Sequence, residues 1–185
     1  MNLPNKLTVL RVLLIPIFVV FMILDMGIPY QNLVALTIFV IASITDLLDG
    51  KIARKHNLVT NFGKFMDPLA DKMLVCSALV CLIDVIDRPY LPGVLPVLII
   101  LWREFIISGF RLVAAKDGTV LAAAMSGKIK TVCQIVMVIV LLLHWDYNWF
   151  FVLEWITIIV AVFMTVYSLC EYLIKNKNVF SDGLK

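Results

Sequence analysis

DLLDGKIARKHNLVTNFGKFMDPLAD, residues 46–71, decides how the rest of the chain is read. Asp46 and Asp49 are three positions apart, so on a helix they share a face about 60° wide. Asp67 and Asp71 are four apart and share a face of a second helix in the same way. Between the pairs, Lys55-His56-Asn57 and Thr60-Asn61-Phe62-Gly63 read as the end of one helix, a turn and the approach to the next. Two antiparallel helices would bring four carboxylates to one place. Carboxylates that crowded cannot all stay ionised without a positive charge among them. No His or Cys has metal-ligand spacing, so an all-oxygen site for a hard divalent cation, magnesium or manganese, is expected rather than zinc. Gly50 and Ala53 remove side-chain bulk beyond the first pair, and Arg54 offers a planar cation suited to a phosphate.

Working outward, 62% of the 185 residues are hydrophobic and the mean hydropathy is +1.01. Soluble domains sit near 45–50% apolar, so much of this surface must face lipid. The expected fold is an all-α integral membrane protein of six transmembrane helices, near 7–24, 31–54, 67–86, 94–115, 122–143 and 150–174, forming one catalytic domain over 1–185. At about 20 residues per span, no separate soluble domain fits. Pro16 predicts a kink in the first span. Asp67 before Pro68 reads as a helix cap with proline at the first helical position, a role that does not exclude ligation. Lys and Arg outside the apolar runs fall almost wholly on one face, where only Arg88 is assigned to the other. The positive-inside rule then puts both termini and the aspartates in the cytoplasm. Trp145, Tyr147 and Trp149 read as an interfacial belt at the opposite face. Cys76, Cys81, Cys133 and Cys170 lie in apolar runs and read as small buried hydrophobes. His56 and His144 read as solvated turn residues, and Glu154 has no partner visible in the sequence.

Asp46, Asp49, Gly50, Ala53, Arg54, Gly63, Asp67 and Asp71 match D-x2-D-G-x2-A-R-x8-G-x3-D-x3-D without exception. That pattern resembles the signature of the CDP-alcohol phosphotransferases, membrane enzymes of phospholipid synthesis. Further stretches resemble one branch of them, the phosphatidylglycerophosphate synthases: Pro4-Asn5 with Thr8 and Arg11, residues 68–72, Arg103-Glu104-Phe105 with Arg111, and Gly127-Lys128 with Lys130-Thr131. The resemblance implies CDP-diacylglycerol as donor, displacement of CMP, and glycerol 3-phosphate as acceptor. It implies Asp46, Asp49, Asp67 and Asp71 as ligands of two metal ions, with Asp71 also the general base. Asp49, Gly50, Ala53, Arg54 and Gly63 would hold the CDP moiety. Arg111, Lys128, Arg103 and Lys130 would meet the acceptor phosphate, while Asn5, Thr8 and Arg11 would line the cavity. Family members commonly pair, which implies a homodimer.

Other readings of these residues stand beside that one. Arg103-Glu104 also reads as an internal ion pair within a span, and Lys130 as ordinary positive-inside flanking. Another enzyme of the family, forming cardiolipin, phosphatidylserine or phosphatidylinositol phosphate, would carry the same aspartates. A small cation transporter would need its carboxylates near the bilayer midplane. Here they fall at the cytoplasmic helix ends, and Gly50 and Arg54 have no use in ion passage.

Overall fold

The computed structural model describes the backbone of residues 2–27, 29–55, 60–86, 93–116, 125–145 and 147–176. Side chains are described for these residues except 47–55, 61–62, 64–65, 85 and 113–116. The described chain is helical: α1 (Leu3–Ile23), α2 (Gln31–Lys55), α3 (Asn61–Cys81), α4 (Ile83–Ile86), α5 (Val94–Lys116), α6 (Met125–Leu143) and α7 (Asn148–Lys175). α1, α6 and α7 are each long and apolar enough to cross a membrane, and Gln31–Asp46 forms a shorter apolar run. With large apolar side chains such as Leu13, Trp102, Phe105, Leu112 and Phe163 exposed, the outer surface is that of a membrane protein.

Two compact units divide the chain. The first comprises residues 1–84 and 138–145, the second 85–137 and 146–185. In the first, α1 packs along both α2 and α3. Its packed face is Pro4, Asn5, Thr8, Arg11, Ile15 and Phe18, the three-to-four spacing of one helical stripe. The stripe is polar in its first two turns and apolar after them. Phe18 meets Phe39 of α2 with ring centroids 5.9 Å apart. Ala35, Ala42, Ala70 and Ala78 are fully buried, and such small residues let apolar helices approach closely. Asn2 caps α1 by accepting from the Asn5 amide at 3.3 Å.

The start of α3 departs from expectation. Asp67 is not its cap: the helix begins at Asn61, and the Thr60 hydroxyl, on extended backbone, accepts from the Gly63 amide at 3.0 Å. Thr60 supplies the acceptor that the first-turn amides need, so Asp67 and Pro68 become interior residues. The third span also breaks at Leu82, and α4 is a separate short turn of helix. Asp87, Arg88, Pro89 and Pro92, expected as the next turn, lie outside the described residues, as do His56, Asn57 and Asp146.

In the second unit α5 packs on α7. The buried stripe of α7 is Phe150, Glu154, Ile158, Ala161, Thr165, Ser168 and Tyr172. Gln134 of α6 donates to Thr165 at 3.2 Å, and Thr165 donates to the Ala161 carbonyl at 2.6 Å. Glu154, which the sequence left without a role, is thus a buried member of a packed helix face.

Candidate active site

α2 carries Asp46, Asp49, Gly50, Ala53 and Arg54 on one unbroken helix, through the polar extension to Lys55. The side chain of Asp46 is described; those of Asp49, Ala53 and Arg54 lie outside the described set. α3 carries Gly63, Asp67 and Asp71, successive members of one helical stripe. Gly63 is buried, while Asp67 and Asp71 are half-buried.

α1 supplies a hydrogen-bonding or ionic partner to a carboxylate on each of these helices. Arg11, with none of its side chain exposed, places Nη1 2.5 Å from Oδ1 of Asp46, whose side chain is one-third exposed. One turn earlier, the Thr8 hydroxyl lies 2.7 Å from Oδ1 of Asp67 and 3.1 Å from the Pro4 carbonyl. A hydroxyl has one proton to give. The shorter contact to a charged acceptor assigns it to Asp67. One turn earlier again, Thr60 donates to Oδ1 of Asn5 at 2.9 Å. Asn5, Thr8 and Arg11, expected as cavity lining, therefore act as a polar ladder joining α1 to α3 and α2.

Gly63 has a local reason in this geometry. A β-carbon there would sit 3.3 Å from Asn5 Oδ1 and from Thr60 Oγ1, and 3.5 Å from Asp67 Oδ2. Two of these are tighter than ordinary contact, so glycine lets α3 approach α1 at the point where Asp67 is held. This packing role had no sequence signal beyond the fixed spacing.

Among the described side chains, no three carboxylates, histidines or cysteines form a ready cage for a metal. Asp46, Asp67 and Asp71 nevertheless offer only oxygen donors on adjacent helices. That donor chemistry fits a hard divalent cation better than it fits zinc.

The cations of the second unit divide into two kinds. Arg111 and Lys128 are exposed. Arg103 and Lys130 are buried and both engage Glu104: Arg103 Nη1 lies 3.2 Å from Glu104 Oε1, and Lys130 pairs with the same oxygen. Arg103 Nη2 also donates to Ser168 at 3.0 Å. Gly127 lies beside this guanidinium, where a β-carbon would be 3.6 Å from Nη2. Sequence reasoning grouped Arg103 with Lys130 but missed Glu104 as the residue joining them, and missed Ser168 altogether. The internal ion pair and the cationic cluster are one object, of net charge +1.

Comparison with known proteins decides the family. The model of the CDP-alcohol phosphatidyltransferase family matches residues 1–167. The chain belongs to that family. Within this CDP-alcohol phosphatidyltransferase, the eight signature positions fall on α2 and α3 as described. It is 47% identical to the CDP-diacylglycerol–glycerol-3-phosphate 3-phosphatidyltransferase of Bacillus subtilis, over 95% of each chain. A protein of the same name from Haemophilus influenzae is 36% identical over 100% of this chain and 98% of its own. One from Rickettsia typhi is 41% identical over 77% of this chain and 76% of its own.

Proposed function

We propose that this membrane enzyme transfers the phosphatidyl group of CDP-diacylglycerol to sn-glycerol 3-phosphate, giving phosphatidylglycerophosphate and CMP. The observation that carries the reading is similarity along essentially the whole chain to the Bacillus subtilis transferase, whose name states both substrates. The acceptor hydroxyl attacks the phosphorus bearing the diacylglycerol. The bond from that phosphorus to the CMP phosphate oxygen breaks, and CMP leaves with the electron pair. Asp71 takes the hydroxyl proton. Its basicity beside a cation is low, so positioning of the reactants carries much of the rate.

Asp46, Asp49, Asp67 and Asp71 would hold two magnesium or manganese ions. When bound, these neutralise the pyrophosphate and the charge developing on CMP. Asp49, Gly50, Ala53, Arg54 and Gly63 would contact the CDP portion. Arg111 and Lys128, exposed in the second unit, are the first candidates for the acceptor phosphate. Arg103 and Lys130 contribute through a cluster whose carboxylate cancels only one of their two charges. Both termini and the carboxylates face the cytoplasm in this reading, where nucleotide-linked substrates are made, and the enzyme works as a homodimer in the membrane.

An acceptor panel tests the proposal. Purified protein with CDP-diacylglycerol should release CMP with glycerol 3-phosphate and far less with glycerol, serine or inositol. A charge-assisted hydrogen bond contributes about 1.5–3 kcal/mol. Arg111→Ala and Lys128→Ala should therefore each weaken use of glycerol 3-phosphate by about tenfold or more, with smaller effects on CDP-diacylglycerol. Preference for phosphatidylglycerol would move the enzyme to a cardiolipin-forming reaction. Equal rates with phosphorylated and unphosphorylated acceptors would refute the cationic pocket.

A further inference from the structure

We propose that Thr8 determines which divalent cation the carboxylates accept, by holding Asp67 as a single-oxygen ligand; this rests on the metal reading above. Thr8 is 1% exposed, so water does not compete for its hydroxyl. Its proton goes to Oδ1 of Asp67 at 2.7 Å. The other oxygen, Oδ2, would lie 3.5 Å from a β-carbon added at Gly63, one turn earlier on α3. Oδ1 is thus tied to α1, which leaves Oδ2, on half-buried Asp67, as the oxygen to meet an ion.

The clamp has a second point. Gly63 N–H donates to Thr60, and the Thr60 hydroxyl donates to Asn5, one turn before Thr8 on α1. Rotating the Asp67 carboxylate so that both oxygens face one ion would break the Thr8 bond while the Thr60–Asn5 link holds the helices in place. Arg11 treats the neighbouring helix similarly, engaging Oδ1 of Asp46 at 2.5 Å.

Denticity separates the candidate ions. Calcium takes six to eight oxygens and readily uses both oxygens of one carboxylate, whereas magnesium requires near-octahedral geometry with single-oxygen ligands. A carboxylate with one oxygen committed to a buried hydroxyl suits the smaller ion and penalises calcium. Thr8 thereby acts as a specificity-determining residue without touching the metal. Outer-shell partners of ligands typically change metal affinity by about 10–100-fold when removed.

The test uses the purified full chain in nanodiscs. Free manganese is followed by electron paramagnetic resonance, and magnesium or calcium is titrated as competitor. Thr8→Val, nearly isosteric but without a donor, should shift the calcium-to-magnesium competition ratio toward calcium by about tenfold. Thr8→Ser, which keeps the hydroxyl, should stay within about twofold of the parent protein. A ratio for Thr8→Val within about twofold of the parent overturns the proposal. Should Thr8→Val fail to fold, infrared spectroscopy of the unmodified protein decides. Magnesium loading should then give the carboxylate stretch splitting of single-oxygen ligation, in a band missing from Asp67→Asn, and a two-oxygen pattern overturns the proposal. Absence of manganese binding to the unmodified protein would instead sink the metal reading itself.

Discussion

Replacing Asp46 by asparagine is nearly isosteric, yet the geometry makes the change destabilising. Arg11 is wholly buried on the packed face of α1, and its guanidinium lies 2.5 Å from Asp46. Removing one member of a buried ion pair typically costs 3–5 kcal/mol, because the remaining charge is left in a low-dielectric setting. Asp46 is one-third exposed, so solvent screens part of the interaction and about 2–3 kcal/mol is expected. For a chain of this size each kcal/mol moves the melting temperature by about 2–4 °C, giving a loss of roughly 5–10 °C. The measurement is thermal unfolding in detergent with excess chelator, so that loss of metal does not enter. Arg11→Met should be destabilising as well, because it strands the carboxylate. The double variant Arg11→Met/Asp46→Asn should recover part of the loss, with a coupling of about 1–2 kcal/mol in the double-mutant cycle. Strict additivity of the two single changes would refute the pairing as a source of stability.

Asp71→Asn, an isosteric change at the proposed base, should lower turnover by about 10²–10⁴-fold while leaving the folded fraction near that of the parent. Turnover near the parent value would remove Asp71 from the mechanism. For orientation, single cysteines at Asn57 and at Asp146, in a background lacking the native four, should label from opposite sides of the membrane. Reaction of both from outside intact cells would overturn the alternating six-span topology.

That the aspartates sit on two helices, Asp46 and Asp49 on α2 and Asp67 and Asp71 on α3, was legible because spacings of three and four fit helical periodicity. Hydropathy likewise revealed the apolar helices, since lipid imposes long unbroken runs. The start of α3 was not legible. Asp67-Pro68 satisfies the local grammar of a helix start as well as Thr60 does, and only the close approach of α3 to α1 at Gly63 makes the earlier start pay off in cross-helix bonds. Thr8–Asp67 and Arg11–Asp46 join residues 59 and 35 positions apart, and no local spacing rule connects them. Sequence also put Arg103 and Glu104 side by side without showing what they do. Consecutive helical positions do not face each other, and the geometry became plain only once Lys130 and Ser168 from other helices were placed around them.

The polar half of α1 bears on why this helix has the composition it has. A buried arginine in an apolar helix is expensive unless a partner is fixed in place before it arrives. Asp46 is such a partner, because it sits on α2 where Phe39, Ala42 and Ser43 are already packed. Conversely, carboxylates brought near one another with no internal cation would repel. Arg11 supplies a positive charge to Asp46, and Thr8 supplies Asp67 with a neutral donor that adds no charge. Exchanging the two would leave Asp46 without its ionic partner and would set a guanidinium, in place of a neutral donor, against Asp67. The order Thr8 then Arg11 along α1 thus divides two tasks, orienting one carboxylate and neutralising another, between side chains one turn apart.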